Sequence, residues 1–267
     1  MFNSMLLVGC GNMAGAMLRG WLAAGVGPER FTVADPAAPD LPPGVQAIRA
    51  IPGEGAFDAI VLGVKPQLLT EIAPRAEPLA GPETVVFSIL AGVELAVLER
   101  HLPRAKAIVR VMPNLAAALG KSPMALAGTG LDAATRAAVV ALLGPLGTPE
   151  WIEEAAFDLV TALAGSGPAF VYRFIDALAS SAMELGLPGD QAERLALATV
   201  EGAAALAAAA DVDPGELAHR VASPGGTTQA GLDALDADGS LHRLVLDTLR
   251  AARDRSAQMA AAARGEG

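Results

Sequence analysis

In the first half of the chain, short apolar and β-branched runs alternate with segments of helical spacing. The runs predict strands at Met5 to Val8, Phe31 to Ala34, Ala59 to Val64, Thr84 to Ile89, Ala107 to Val111 and Met124 to Ala127. Strands that alternate with helices in sequence pair in parallel through crossover connections. The pattern therefore predicts an α/β domain with a doubly wound parallel sheet and helices on both of its faces.

After Trp151 the β-branched runs end, and segments rich in alanine and leucine follow. They predict helices at Glu153 to Leu163, Ala169 to Leu185, Gln191 to Ala209, Pro214 to Val221, Thr228 to Leu235 and Ser240 to Ala262. This change of composition places a domain boundary near Ile152. We therefore predict an α/β domain over residues 1–152 and an all-helical domain over residues 153–267.

Charge and hydropathy exclude several classes of partner. The 267 residues include 19 Lys and Arg against 29 Asp and Glu, a net charge of -10 that repels phosphate backbones and anionic membranes. Glycines interrupt the uncharged stretch from Met1 to Leu18, and no run of about 20 strongly apolar residues is present to span a bilayer. We expect no nucleic-acid and no membrane partner. The single cysteine, Cys10, cannot form an internal disulfide, which favours a reducing compartment and a cytoplasmic location.

The first predicted strand leads into a Gly-x-Gly-x-x-Ala turn that opens a helix. Gly9 permits the tight turn, Gly11 leaves room for a pyrophosphate against the backbone, and Ala14 lets helix and strand pack closely. The N–H groups at the start of the helix, where Asn12 and Met13 lie, then face the phosphates. The turn predicts a dinucleotide site.

The second predicted strand ends at Asp35, where an acidic side chain can accept hydrogen bonds from the adenosine ribose. A carboxylate there repels a 2′-phosphate, and no arginine follows immediately. Asp35 therefore favours NADH over NADPH. The Asp35-Pro36 pair is also compatible with a simple turn that has no binding role.

Three further strand ends fall at the carboxyl edge of the predicted sheet, where doubly wound folds bind ligands. They carry Val64-Lys65-Pro66, Ala91-Gly92 and Pro113-Asn114. The small residues Ala91 and Gly92 allow a flat ring to lie close. Each segment alone is more typical of scaffold than of a binding site, and only the shared edge supports a cofactor crevice.

The helical half contains the loop Ser223-Pro224-Gly225-Gly226-Thr227-Thr228. Its proline fixes one backbone dihedral, its two glycines admit positive φ, and its consecutive N–H groups can form a concave anion site. Two threonines then begin the next helix, where capping and anion binding use the same geometry. The loop predicts a carboxylate-binding site, and a plain helix cap is the alternative.

The sequence offers no metal-ligand constellation. His101, His219 and His242 lie on separate predicted helices without cysteine or carboxylate partners at metal spacing. The sequence also lacks a Gly-x-Ser-x-Gly elbow and a Walker loop, so we expect neither a hydrolase nor a kinase.

Taken together, the motifs from about Met5 to Met259 resemble the pyrroline-5-carboxylate reductases. The matching segments are Gly9-Cys10-Gly11-Asn12-Met13, Val64-Lys65-Pro66, Ala91-Gly92-Val93, Arg110-Val111-Met112-Pro113-Asn114, Gly165-Ser166-Gly167-Pro168-Ala169 and Ser223-Pro224-Gly225-Gly226-Thr227-Thr228. The first is shared with many dehydrogenases. The last, at its distance from the others, is specific to this family.

The resemblance implies a Rossmann domain followed by a helical dimerisation domain. It implies homodimers, in some relatives assembled as decamers of five dimers. It also implies that the cofactor domain of one subunit and the helical domain of its partner together form the active site.

The resemblance further implies that NADPH or NADH reduces 1-pyrroline-5-carboxylate to L-proline. In this interpretation the backbone N–H groups of Gly225, Gly226 and Thr227 in the loop that Ser223 begins hold the substrate carboxylate. The hydroxyl of Thr228 hydrogen-bonds the ring nitrogen and orients the substrate, because a threonine is a poor acid.

Several positions depart from the family pattern, namely Ala50, Leu115-Ala116, Ala164 and Asp213, and none removes a group that the chemistry needs. The β-hydroxyacid dehydrogenases carry a catalytic lysine early in the helical domain, where this chain has Arg173 and no lysine. Two alternatives stay open, a reductase of a related cyclic imine carboxylate and a non-catalytic dinucleotide sensor. The first stays open because a binding site discriminates two substrates that differ by one methylene by only about 1 to 3 kcal/mol.

Overall fold

A computed structural model describes residues 2–37 and 40–264, with side chains up to residue 262. The strands are β1 (Met5–Val8), β2 (Phe31–Ala34), β3 (Gln46–Ile48), β4 (Ala59–Leu62), β5 (Val85–Ser88), β6 (Ala107–Met112), β7 (Ser122–Thr129) and β8 (Gly147–Trp151). The helices of the first half are α1 (Asn12–Ala23), α2 (Leu69–Ala76), α3 (Leu95–His101) and α4 (Ala133–Leu143). Those of the second half are α5 (Phe157–Val160), α6 (Gly167–Glu184), α7 (Gly189–Ala209), α8 (Pro214–Val221), α9 (Thr227–Asp236) and α10 (Ser240–Arg264).

The strands form one sheet in the order β3-β2-β1-β4-β5-β6-β7-β8. The predicted α/β class with a doubly wound sheet is confirmed, and one pairing departs from the predicted parallel arrangement, because β7 runs antiparallel to β6. The connection between these two strands holds only a short 3₁₀ helix, Leu115–Leu119. A parallel return needs a crossover of a dozen or more residues, so this short connection forces the reversal.

Two strands of the sheet were not predicted from the sequence. β3 is a short edge strand with largely exposed side chains, so its sequence lacks the apolar run of a buried strand. β8 contains Gly147 and Pro149 and pairs with β7 alone within the described residues. Proline is tolerated at a sheet edge, where its missing N–H is not needed. Both strands were therefore taken for connections.

Both faces of the sheet are covered. In β1, Leu7 packs into the cluster that contains Trp21 of α1, while Leu6 and Val8 pack into the cluster on the opposite face. The alternation follows from the two-residue period of a strand. Burial on both faces explains why the central strands read as continuous apolar runs.

The order of the strands reverses between β1 and β4, because β2 continues on one side of β1 and β5 on the far side of β4. At such a switch point the loops after neighbouring strands diverge and leave a crevice at the carboxyl edge of the sheet. The loops that follow β1 and β4 carry Gly9 and Lys65. The topology therefore places the predicted dinucleotide turn beside this crevice.

The chain divides into two compact units. The sheet unit comprises Met1–Ser166 and Arg250–Gly267, and the helical unit comprises Gly167–Leu249. This division differs from the predicted boundary after Ile152, because Phe157, Ala162 and Ala164 are buried in the sheet unit. The carboxyl-terminal part of α10 also belongs to the sheet unit, which the linear composition of the chain does not reveal.

Within the described part of the chain, one helical stretch, Glu154–Glu184, is long and apolar enough to span a membrane, contrary to the expectation from the sequence. A second candidate joins α7 and α8, which are bent by 118° where they meet. A single such stretch is weak evidence. Its first part includes the buried Phe157 in the sheet unit, and a π-helical turn at Thr161–Gly165 interrupts its regular α-helical geometry.

Candidate active site

The turn between β1 and α1 requires glycine at its first position. Gly9 has φ +84°, and a Cβ built there would lie 2.9 Å from Cγ1 of Val64. Gly63 is equally constrained, since its Cβ would approach the carbonyl oxygen of Gly9 to 2.8 Å. The loops after β1 and β4 therefore meet closely at the switch point, and the predicted proximity of Gly9 and Val64 is observed.

The start of α1 is open on its outer side. Gly11 is the N-cap residue, no side chain caps the helix, and a Cβ on Gly11 would meet nothing within 4 Å. Asn12 is exposed, whereas Met13 is half-buried and packs against the core of the sheet unit. Uncapped N–H groups at the positive end of a helix bind phosphate. These residues fit the pyrophosphate of a dinucleotide.

Asp35 holds the loop that contains Cys10. Its Oδ2 accepts a hydrogen bond of 2.7 Å from the N–H of Cys10, and its Oδ1 accepts one of 2.8 Å from the N–H of Ala37. The carboxylate thus stabilises the turn in addition to any contact with a ribose. Burial and then the nearby Asp35 carboxylate raise the pKa of the Cys10 thiol, so this side chain stays protonated at neutral pH.

A cleft of about 540 Å³ lies beside the turn. Cys10, Gly11 and Asn12 line one part of it, Arg19 another, and residues 40–43 a third. Nothing in the local sequence pattern distinguishes Arg19 from an ordinary exposed helical arginine. Only the packing of α1 beside residues 40–43 places it in the cleft.

The strand ends after β4, β5 and β6 have different environments. Lys65 is exposed at the N-cap of a 3₁₀ turn that begins with Pro66, whereas Pro113 is buried. Ala91 is half-buried. Gly92 has φ +73°, and its Cβ would lie 3.1 Å from the backbone of Met259 in α10. Glycine at 92 is therefore needed for the packing of α10, a requirement separate from any contact with a flat ring.

Asn114 joins the end of β6 to the π-helical turn Thr161–Gly165. Its Nδ2 donates 2.9 Å to the carbonyl oxygen of Ala164, and its Oδ1 accepts from the N–H of Ala116. Its own N–H donates to the hydroxyl of Ser122. The sequence placed this residue at a strand end without revealing that it fixes the turn just before the helical unit.

The loop Ser223–Thr228 lies in the helical unit, and only the first of its two glycines has the predicted positive φ. Gly225 has φ +72°, and a Cβ on Gly226 would lie 3.0 Å from the carbonyl oxygen of Ser223. Gly226 is the N-cap of α9, which no side chain caps. The two glycines therefore meet two separate requirements, one of dihedral angle and one of space.

One detail of the predicted anion site is wrong. The N–H of Gly226 donates a 2.9 Å hydrogen bond to the carbonyl oxygen of Ser223, so it is already used within the turn. Among the described residues, no such turn bond engages the N–H groups of Gly225, Thr227 and Thr228. Of the three predicted donors, Gly225 and Thr227 therefore stay available to an anion, and Thr228 at the start of α9 adds a further N–H. The side chains of both threonines are exposed.

Within the residues that the structure describes, no group of three or more His, Cys, Asp or Glu side chains is arranged to hold a metal ion. The site therefore consists of backbone donors, hydroxyls and a few charged side chains.

The sheet order and the glycine turn at its switch point define a dinucleotide-dependent oxidoreductase. In agreement, residues 5–92 match the model of a family described as NADP oxidoreductase, coenzyme F420-dependent. Residues 154–259 match the family described as pyrroline-5-carboxylate reductase dimerisation.

Individual relatives specify the family. The chain is 36% identical over 268 aligned residues to pyrroline-5-carboxylate reductase of Pseudomonas aeruginosa, covering 95% of each chain. It is 44% identical over 183 residues to the pyrroline-5-carboxylate reductase of Aquifex aeolicus, an alignment that covers 68% of each chain. The solved pyrroline-5-carboxylate reductase of Coxiella burnetii superposes with a TM-score of 0.86 at 27% identity, covering 96% of this chain and 98% of that one. The chain belongs to the pyrroline-5-carboxylate reductase family.

Proposed function

We propose that this chain reduces 1-pyrroline-5-carboxylate to L-proline with NADPH or NADH, the final step of proline biosynthesis. The observation that carries the proposal is the presence, in one member of this family, of both a dinucleotide turn at the switch point and the Ser223–Thr228 anion loop. A dinucleotide sensor has no need of the second feature.

The reaction adds a hydride to the imine carbon and a proton to the ring nitrogen, so the C=N bond becomes a CH–NH unit. The reduced nicotinamide supplies the hydride, and the protein contributes position and electrostatics. The open start of α1 at Gly11 and Asn12 binds the pyrophosphate. The exposed Lys65 and the neighbouring Val64, Pro66 and Ala91 form the crevice wall that positions the rest of the cofactor.

The substrate carboxylate binds at the loop of the helical unit. The N–H groups of Thr227 and Thr228 point along the axis of α9 at its positive end, where a carboxylate gains both hydrogen bonds and a favourable dipole. Gly225 and Gly226 hold the loop open for this approach. Ser223 begins the turn and accepts the N–H of Gly226 through its carbonyl oxygen.

Thr228 binds the ring nitrogen through its hydroxyl. A threonine hydroxyl does not ionise near neutral pH, so it orients the imine while the proton comes from water or from an already protonated substrate. The carboxylate and the nitrogen are thereby fixed at two points, which sets the face of the imine that receives hydride.

The helical unit also serves as the dimerisation surface. As the family resemblance implies, the substrate loop of one subunit serves the cofactor domain of its partner, and five dimers form a decamer. The single cysteine favours a reducing compartment, which supports the cytoplasm as its location.

The experiment is a reductase assay that follows the absorbance of NADPH or NADH with racemic pyrroline-5-carboxylate and identifies L-proline by chiral chromatography. We expect turnover with one enantiomer. The six-membered homologue serves as the competing substrate, and a higher kcat/KM for it contradicts the proposed substrate.

Thr228 is tested by replacement with valine, which keeps the shape but removes the hydroxyl, and with serine, which restores the hydroxyl. We expect kcat/KM to fall by about tenfold or more in Thr228→Val, the effect of one lost hydrogen bond in a transition state, and to recover largely in Thr228→Ser. Full activity in Thr228→Val excludes the proposed role.

A further inference from the structure

Arg19 lies on α1 one helical turn after Gly15 and lines the cleft beside the dinucleotide turn. Its Nη1 lies 3.4 Å from the position that a Cβ on residue 15 would occupy. The absence of a side chain on Gly15 therefore lets the guanidinium fold back toward the start of the helix. Arg19 also lies close enough to Cys10 to lower the pKa of its thiol, against the larger effects of burial and Asp35.

This placement concentrates positive potential. A guanidinium near the amino-terminal end of a helix adds to the positive end of the helix dipole, an arrangement that is unfavourable without an anion. The side chain of Arg19 is exposed to solvent. Among the described residues, it forms neither a hydrogen bond nor a salt bridge. The cleft thus offers a free cation in addition to the uncapped start of α1.

The acidic residues of the cleft do not neutralise this cation. Asp35 forms no ion pair with Arg19, and both of its carboxylate oxygens accept backbone hydrogen bonds, from Cys10 and Ala37. Asp40 also lines the cleft but forms no ion pair with Arg19. An arginine suits a phosphate particularly well, because its planar fork donates two parallel hydrogen bonds.

The adenosine ribose of a dinucleotide bound at Gly11 lies toward the end of β2, on the side where Asp35 and Cys10 meet. We propose that Arg19 binds the 2′-phosphate of NADPH and gives this chain its preference for the phosphorylated cofactor. The inference rests on the proposed use of NAD(P)H, and it reverses the preference that Asp35 suggests from the sequence alone. It agrees with the match of residues 5–92 to a family of NADP oxidoreductases.

The test is calorimetric binding of two nucleotide fragments, adenosine 2′,5′-bisphosphate and 5′-AMP, to the full-length protein. We expect the unmodified protein to bind the bisphosphate at least about tenfold more tightly. Arg19→Ala removes most of this ratio and changes the affinity for 5′-AMP by less than about twofold, whereas Arg19→Lys keeps an intermediate ratio. The preference also weakens as salt concentration rises.

Arg30→Ala is the matched control, because Arg30 lies before β2, outside this cleft, and its removal changes the net charge equally. We expect it to leave the ratio unchanged. Arg49 directly follows β3, and Arg49→Ala tests whether this arginine binds the 2′-phosphate instead of Arg19. The proposal is wrong if Arg19→Ala keeps the ratio, if Arg49→Ala alone abolishes it, or if the unmodified protein binds both fragments equally.

The outcomes also separate this inference from the proposed function. If Arg19→Ala loses the preference for the bisphosphate over 5′-AMP but keeps NADH-dependent reductase activity, the result supports both the role of Arg19 and the proposed function. An unchanged ratio in an active enzyme contradicts only the role of Arg19. Failure of the unmodified protein to bind either fragment or either dinucleotide contradicts both.

Discussion

The guanidinium of Arg110 donates a 2.7 Å hydrogen bond to Oε1 of Glu154, and the same oxygen accepts a 2.7 Å hydrogen bond from the N–H of Leu95. Only 4% of the Arg110 side chain is exposed, and its guanidinium carbon lies 3.9 Å from the ring centroid of Phe157. Its Nε has no hydrogen-bond partner. One carboxylate therefore connects the end of β6, the start of α3 and the segment that leads into α5.

Removal of Glu154 leaves the Arg110 charge buried and uncompensated. We expect Glu154→Ala to lower the free energy of unfolding by about 3 kcal/mol. The double variant Arg110→Met/Glu154→Ala loses less stability than this, because an apolar side chain replaces the buried charge. Urea unfolding of both single variants and the double variant measures the coupling. Additive losses show that the pair contributes no coupling and refute this expectation.

The left-handed conformation of Gly225 is tested by substitutions that differ in their tolerance of positive φ. Asparagine adopts this conformation readily, whereas a β-branched residue does not. We expect Gly225→Asn to keep the KM for pyrroline-5-carboxylate within about threefold and Gly225→Val to raise it by about tenfold or more. Steady-state kinetics at saturating NADPH measures both values. Equal KM values for the two variants contradict a binding role for this loop.

Cys10 provides a pH-dependent probe of the cofactor turn. Its pKa is raised in the folded protein by burial and by Asp35, so at a given alkaline pH it carries less thiolate than in the unfolded chain. We expect iodoacetamide to alkylate it more slowly in the folded protein than in urea, and stability to decline as pH rises past the ordinary thiol pKa. Mass spectrometry follows this single cysteine directly.

Arg19→Ala supplies an independent check on the same thiol. Arg19 lowers the pKa of Cys10, so its removal raises that pKa further and slows alkylation at fixed pH. Arg30→Ala leaves the rate unchanged, since Arg30 does not act on this thiol. Faster alkylation in Arg19→Ala shows that the guanidinium does not lie near Cys10.

We expect the exposed apolar face of α6 to form part of the dimer interface, and a charge introduced on this face tests that assignment. Val171, Phe174 and Leu178 lie on one stripe of this helix and are 46%, 47% and 37% exposed in the single chain. We expect Phe174→Glu to shift the protein toward monomers, because a carboxylate is costly in an apolar interface. Sedimentation velocity measures the change. Arg75→Ala on α2 alters the net charge equally and leaves the assembly intact, and identical sedimentation of both variants contradicts the assignment.

Local sequence patterns predicted the central strands and most helices, because each buried strand and each amphipathic helix carries its own period. The glycine turn at Gly9 and the loop at Gly225 were also predictable, since positive φ leaves a signature in residue type. β3 and β8 were not, because short edge strands lack an apolar run. The Arg110–Glu154 pair could not be predicted either, since its partners lie 44 residues apart.

The sequence by itself determined the class of the sheet, the glycine turn after β1 and the positive φ of Gly225, because these depend on residues adjacent in the chain. Only the tertiary structure decided the direction of β7, the packing of α10 against Gly92, the use of the Gly226 N–H within its own turn and the presence of Arg19 in the cleft beside the glycine turn. Most of these features depend on which distant segments pack together, and the Gly226 bond depends on the three-dimensional path of its loop. Neither packing nor loop path follows from local periodicity.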